Sequence, residues 1–388
     1  MNLFNIMTKG SDAVLDFLVS LQNPPKGDRP IVWTEPWYSD GYNNIRYTSF
    51  LPRFKSVEPI YKFRPQTGWR GRLIKIYEQS ILGRYWTFGI KYSYRLRLLG
   101  KQYRTLFCTG HFGKIRHFPG SVIVDDDDPY FNSVRMALLN DPKVCVVVTT
   151  TDLLRDKLVA NGLNKPCIII PSGVDFSQLD PLKIQQLAQQ SGKGPDNVIV
   201  GYAIPEIFTD QDPSVIRDKN GKERSVSFLF EIMERVWQEM PRINLWLVGH
   251  PSPSVEAWVS SHPQVRLFGF IPHHGLLNYI SNFDIAVYPR TIDFGGRHII
   301  KLLEFMACGC PIVSTAVSES FQVVNSASGL LANDVNSFAD CILQLARNPE
   351  LRQKLGQNGR EYAKNYDWDV LADRYENEVF LPYLEKNS

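Results

Sequence analysis

The run from Phe294 to Ser314, Phe-Gly-Gly-Arg-His-Ile-Ile-Lys-Leu-Leu-Glu-Phe-Met-Ala-Cys-Gly-Cys-Pro-Ile-Val-Ser, constrains the fold more than any other part of the chain. It reads as a glycine loop, an amphipathic helix and a buried strand in immediate succession. Ile299, Leu302, Leu303 and Met306 recur at i, i+3, i+4 and i+7, which predicts a core-facing stripe. Lys301 and Glu304 lie three apart on another face, so their charge is expected to point away from the core. Gly309 suits the left-handed residue that ends a helix, and Pro311 bars its continuation before a strand at Ile-Val. Gly295 and Gly296 let the backbone approach a ligand, while the helix start offers free N–H groups and a positive dipole end. The whole is an anion site in outline. By themselves Lys301 and Glu304 would read as an ordinary solvated pair; the Gly-Gly before them and the Cys-Gly-Cys-Pro after them shift the reading toward a ligand site.

The rest of the chain repeats this alternation of strand and helix. Ile31–Thr34, Thr105–Cys108, Val122–Val124, Val144–Thr149 and Cys167–Ile170 are short apolar runs that fit buried parallel strands. Helical patterns fall at Arg70–Leu99 and Asp152–Ala160. In the second half, strands are expected near 197–202, 243–248, 265–268, 284–288, 311–314 and 328–331, and helices near 335–347, 349–364 and 368–386. Leu179 to Asp196, with its Gln-Gln-Ser-Gly-Lys-Gly-Pro-Asp, is the expected linker. At 388 residues and 44% hydrophobic content, the chain can build two cores.

Several classes are set aside by composition. No apolar run approaches the roughly 18 to 20 residues that span a bilayer. The start lacks a basic segment followed by an apolar core, so a cytoplasmic location is expected. Six scattered cysteines, with no Cys-x-x-Cys pair, read as small buried hydrophobes, and Cys308 and Cys310 lack grouped partners for a metal. Charge is unevenly spread: residues 1–120 hold 19 Lys and Arg against 7 Asp and Glu, the remainder 24 against 33. The basic residues between Arg70 and Arg97 are interleaved with aromatics, which suits either an anionic membrane surface or a solvated helix of an ordinary domain. No nucleic-acid recognition motif accompanies them, so no nucleic acid partner is expected. Asp125-Asp-Asp-Asp128, after a strand, raises the alternative of a metal that clamps a diphosphate; the other expectation is that these residues cap a helix beginning near Tyr130.

The Phe294–Ser314 run resembles the acidic-helix segment of retaining GT-B glycosyltransferases, especially glycosyltransferase family four. Val265–Pro272 and Leu276–Arg290 resemble the two preceding strands and their helix. Asn197–Tyr202 and Leu245–Gly249 resemble the first two strands of the donor domain, and Ile168–Asp175 the strand leading toward the linker. The resemblance spans about the last two thirds of the chain. It implies an α/β fold of the GT-B class, two doubly wound Rossmann-like domains facing a central cleft. Residues 1–190 would form the acceptor-side domain, 191–366 the nucleotide-sugar domain, and 367–388 a helix crossing back to the first domain.

The resemblance also implies chemistry: transfer of a sugar from a UDP or GDP sugar to a glycan or lipid-linked acceptor, with retention and without a metal; the basic, aromatic-rich first half leaves open peripheral attachment of this cytoplasmic enzyme to the membrane face. Glu304 would accept hydrogen bonds from both ribose hydroxyls. Arg224, or Lys222 if the loop is offset, would stabilise charge on the departing diphosphate. Arg290, Lys301, Arg297, Gly295 and Gly296 would line the phosphate side, and backbone near Phe270 and Ile271 would meet the base. The family's usual first acid, eight residues before Glu304, is here Gly296. Asp293 or His298 could replace it, and His298 joins Arg224 and Glu304 as a catalytic candidate. Gly41, His111 and Asp126 are the acceptor-side candidates. Two other readings stand beside this one: a catalytically silent nucleotide-sugar-binding scaffold, and a nucleotide-sugar epimerase of the same fold.

Overall fold

The structure, a computed structural model, describes residues 16, 19–20, 27–34, 49–60, 88–109, 112–127, 131–194, 197–213, 225–290, 300–317, 324 and 328–385. It divides into two compact units, residues 1–171 with 371–388, and residues 172–370.

In the first unit the apolar runs become strands β1 (Ile31–Thr34), β2 (Val57–Ile60), β3 (Thr105–Thr109), β4 (Ser121–Asp125), β5 (Val144–Thr149) and β6 (Cys167–Ile169). They form one parallel sheet in the order β2-β1-β3-β4-β5-β6. Helices α1 (Phe88–Leu99), α2 (Ser133–Leu139) and α3 (Asp152–Ala160) lie between strands. Sequence pattern missed β2, whose Val-Glu-Pro-Ile carries a charge and a proline. The strand pairs only with β1, so Pro59 sits at a sheet edge where its missing N–H does little harm. Of the helix expected over Arg70–Leu99, the portion before Phe88 lies outside the described residues.

The second unit runs α4 (Pro181–Gln190), β7 (Ile199–Ile207), α5 (Ser227–Glu239), β8 (Asn244–Pro251), α6 (Pro253–Ser260), β9 (Val265–Leu267), α7 (His273–Ile280), β10 (Ile285–Tyr288), α8 (Ile300–Ala307), β11 (Ile312–Ser314), β12 (Gly329–Leu331), α9 (Val335–Arg347) and α10 (Pro349–Lys364). Its parallel sheet is ordered β12-β11-β10-β7-β8-β9. Strand residues alternate between two cores. Val200, Tyr202, Leu245, Leu247, Ile285 and Val287 pack with Ile232, Met233, Phe338 and Ile342 of α5 and α9. Ile199, Ala203, Trp246, Val248, Ala286 and Tyr288 pack with Leu277, Ile280, Leu302 and Leu303 of α7 and α8.

The expected boundaries move. The stretch read as a linker holds helix α4, capped by the Asp180 carboxylate at the N–H groups of Leu182 and Lys183. Asp180 N donates to Asn278 Oδ1 at 2.9 Å, Lys193 Nζ to Asp284 Oδ1 at 3.0 Å, and Arg266 Nη1 to Ser191 O at 2.6 Å. These bonds fasten residues 180–193 to the rest of the second unit. Val174 bridges Asp367 in the same unit, so the second boundary falls after Val370.

The last segment, α11 (Trp368–Arg374), a π-helical turn over Tyr375–Phe380 and α12 (Leu381–Glu385), returns residues 371–388 to the first unit. Tyr375 and Phe380 pack among Phe50, Phe54 and Phe107, with Phe54 edge-on to Phe380 at 4.9 Å between centroids. Glu376 accepts from Lys55 N at 2.6 Å, Ser56 N at 2.9 Å and Ser56 Oγ at 2.5 Å. This side chain closes the backbone entering the edge strand β2.

Candidate functional site

In the second sheet the strand order reverses between β7 and β10, with β8 and β9 built outward on one side and β11 and β12 on the other. Ligands of open parallel sheets bind outside the carboxyl ends of the strands at such a reversal. Helix α8 begins after the carboxyl end of β10, and α7 begins after that of β9.

Helix α8 ends as its sequence predicts. Gly309 has φ +74°, its N–H donates to Met306 O at 2.8 Å, and Cys310 N donates to Phe305 O at 3.0 Å, the paired bonds of a left-handed helix stop. A Cβ on Gly356 of α10 would lie 2.0 Å from Gly309 O, so glycine there allows the two backbones to meet. The thiols of Cys308 and Cys310 donate to Leu277 O and Ile280 O at 3.3 Å, tying the end of α8 to α7. Burial raises the Cys308 pKa to about 12, which suits a packed thiol and not a reactive one.

The expected one-sided stripe on α8 is corrected. Leu302 to Ala307 are all buried, Glu304 among them at 1% exposure, so the helix is enclosed on every face and the charged pair is not aimed at solvent. Glu304 is accommodated because a lysine ammonium and an imidazole N–H reach it. Lys301 Nζ donates to Oε2 at 2.5 Å, and His273 Nε2, from the first residue of α7, lies 2.7 Å from Oε1. An ionised carboxylate only accepts, so His273 Nε2 carries the proton in this contact. Burial by itself would raise the Glu304 pKa; the Lys301 charge, the His273 hydrogen bond and charge, and the Lys301 hydrogen bond outweigh it and hold the group at about 2. The result is a carboxylate ionised at neutral pH, with one lone pair committed on each oxygen and one left.

Of the sequence-predicted residues, the structure brings Glu304 and Lys301 into direct contact. Lys301 lies against the carboxylate in this structure, where the sequence had it near phosphates. Phe270 is 51% exposed beyond β9 and stacks on His250 at 5.4 Å with the planes 10° apart. Ile271 packs against the α7–α8 core. Arg290 follows β10, its guanidinium 5.1 Å from the centre of the Tyr288 ring. Gly41, His111, Lys222, Arg224, Asp293, Gly295, Gly296, Arg297 and His298 lie outside the described residues.

The aspartate run of the first unit is occupied by the fold where it is described. Asp125 Oδ2 accepts from the Tyr375 hydroxyl at 2.5 Å, and Asp126 is 3% exposed with both oxygens on Arg135, Nε at 3.1 Å and Nη2 closer still. The cap of α2 is Asn132, whose side chain accepts from Arg135 N at 2.9 Å, not an aspartate. Among the described residues no three His, Cys, Asp or Glu side chains are grouped to hold a metal ion.

Sequence reading missed His273, which stands 31 residues from its partner and bears no motif. It also missed Asp212, whose Oδ2 accepts from Thr209 N, Thr209 Oγ1, Ser252 Oγ and Ser254 Oγ at 2.6 to 3.0 Å. That cluster anchors the chain just ahead of the segment that carries Lys222 and Arg224.

Residues 216–348 match the family described as Glycosyl transferases group 1. A GDP-mannose-dependent monoacylated alpha-(1-6)-phosphatidylinositol monomannoside mannosyltransferase of Corynebacterium glutamicum is 23% identical over 219 residues, 54% of each chain. The chain thus spans about half the length of that relative. Among solved structures, sucrose-phosphate synthase from Thermosynechococcus elongatus superposes with a TM-score of 0.64 at 18% identity, covering 92% of this chain and 100% of that one. Anabaena HepE, solved in complex with UDP and glucose, gives a TM-score of 0.64 at 14% identity, covering 91% and 99%. At these identities the structural likeness establishes the fold alone. The family resemblance read from the acidic-helix run therefore holds, and the chain carries a glycosyl transferases group 1 region, residues 216–348, within a GT-B fold.

Proposed function

We propose that the protein transfers a sugar from a nucleoside diphosphate sugar to a glycan or lipid-linked acceptor, with retention and without a metal ion. The observation that carries this reading is Glu304: a buried, ionised carboxylate at the strand-order reversal, inside the family-matched segment, with an acceptor lone pair left on each oxygen. Two such lone pairs suit the two hydroxyls of a ribose. Charge grows on the diphosphate as the glycosidic bond breaks, and Arg224, or Lys222 if the loop is offset, is the cation assigned to it. Asp293 or His298 takes the sugar contact that Gly296 cannot make. On the acceptor side Gly41 and His111 remain the assigned residues; Asp126, expected beside them, has both oxygens on Arg135. The name of the Corynebacterium relative supports a lipid-linked acceptor and GDP-mannose; the Anabaena neighbour supports UDP.

The test is calorimetric titration of UDP and GDP, followed by turnover over a panel of their sugars with lipid-linked and soluble acceptors. Donor consumption only in the presence of acceptor supports transfer. Binding without turnover favours a silent scaffold, and interconversion of free sugar nucleotides favours an epimerase. Activity is expected to survive EDTA; loss restored by Mg²⁺ or Mn²⁺ would return the reading to Asp125–Asp128. Arg224→Ala should lower kcat on the order of a hundredfold with a smaller change in KM, and the same outcome for Lys222→Ala alone would move the role to that residue.

A further inference from the structure

We infer that His273 is a positioning residue of the nucleotide site, its Nε2–H fixing the Glu304 carboxylate so that the remaining lone pairs meet the ribose diol. This inference rests on the assignment of Glu304 to the ribose.

Glu304 cannot hold its own orientation by solvation, because its side chain is 2% exposed. Each oxygen has a separate hydrogen-bond donor from a separate direction: Lys301 from one turn earlier on the same helix, and His273 from the start of the neighbouring helix. The two holders are unlike. Lys301 is a flexible four-carbon stem with three rotatable donors, whereas the imidazole is a rigid ring with a single donor aimed at Oε1. The helix that carries the ring is set by packing. Leu276, Leu277 and Ile280 of α7 share a core with Leu302, Leu303 and Met306 of α8, and both cysteine thiols after α8 bond to α7 carbonyls. The interface between α7 and α8 therefore sets the direction of Oε1, and His273 is where that interface reaches the carboxylate. At 24% side-chain exposure, His273 is also the more open of the two holders, so a ribose arriving at Glu304 passes beside it.

An ordered hydrogen-bond acceptor binds ribose equally in the ground and transition states, so the readout separates KM from kcat. His273→Ala should raise the Kd for UDP or GDP, and the donor KM, on the order of tenfold while kcat stays within twofold. His273→Gln, whose amide N–H can reach the same oxygen, should recover most of that loss; His273→Leu, of similar bulk and without a donor, should not. Thermal unfolding of all three variants separates site effects from lost packing. Recovery by Gln and not by Leu, at comparable melting temperatures, supports the inference. An unchanged Kd in His273→Ala, with a weakened Kd in Glu304→Gln, overturns it and leaves the nucleotide site standing. Affinities that follow the melting temperatures, with Leu as effective as Gln, also overturn it in favour of a packing role. An unchanged Kd in both His273→Ala and Glu304→Gln overturns the inference together with the assignment of Glu304.

Discussion

Two buried glutamates, one in each unit, sit on helical segments and have opposite surroundings. Glu376 is 7% exposed and takes its hydrogen bonds from two backbone N–H groups and a hydroxyl, all within Lys55 and Ser56. Glu304 is 1% exposed and is held by an ammonium and an imidazole. Neutral donors make Glu376 a tie between the π-helical turn and the edge strand β2, and they take three of its four acceptor positions within the fold. The Lys301 ammonium and the His273 N–H keep Glu304 ionised and leave one acceptor position on each oxygen. Burial of an acid is therefore uninformative by itself; the identity of its donors separates a structural carboxylate from a ligand-binding one.

The strongest way to break this comparison is Glu304→Ala. Loss of two charge-assisted hydrogen bonds to ribose should cost about 3 to 6 kcal/mol of nucleotide affinity, read as the Kd of UDP or GDP by calorimetry, with the far-ultraviolet circular dichroism of the folded chain retained. Unchanged affinity would remove Glu304 from the site. Glu376→Ala is the matched control in the other unit. Three unmade hydrogen bonds should lower unfolding stability by about 3 kcal/mol in urea, while nucleotide affinity stays within twofold; a nucleotide defect of equal size would erase the distinction between the two acids.

Acid titration sharpens the same contrast. The folded-state pKa of Glu304 is depressed from 4.5 to about 2, so its contribution to stability is complete above pH 4.5 and is lost as pH falls through about 2. Wild type should therefore lose stability relative to Glu304→Gln across that window; parallel curves would mean that the carboxylate is not ionised in the fold. The smallest effect concerns the basic first unit. Arg95 is buried and donates to Thr34 Oγ1, and Arg97 bonds Asp16 and His117, so these two cations serve the fold. An attachment to a membrane, expected from the basic sequence, would then fall to Arg70, Arg72, Lys75 and Arg84, at about 1 kcal/mol per cation near an anionic surface. Their replacement by Gln should reduce co-sedimentation with phosphatidylserine vesicles at low salt and leave the Kd for UDP and GDP unchanged. Wild-type protein that stays in the supernatant would end the membrane proposal.

Legibility from sequence followed the range of the interactions. Among the described residues, eleven of the twelve strands stand where short, mostly apolar runs predict them, because strands inside a parallel sheet are covered on both faces. The exception, β2, lies at a sheet edge and carries Glu58 and Pro59. The helix stop at Gly309 was equally local, since φ +74° in a left-handed cap leaves glycine as the natural choice. Glu304 and Lys301 were legible for the same reason, as neighbours one turn apart.

Sequence by itself determined the class of fold, the two parallel sheets and the position of the acidic helix, all of which follow from periodicity and turn chemistry within about twenty residues. Tertiary structure alone decided which acids were spent and which were left with capacity. Asp125 meets Tyr375 across 250 positions, Glu376 meets Ser56 across 320, and Glu304 meets His273 across 31. The boundary at residue 190 moved for the same reason, because Asp180 and Lys193 bond to residues about ninety positions away. A hydrogen-bond partner at such separation leaves no period in the chain; it is fixed only when the helices and sheets pack and desolvate the groups they enclose.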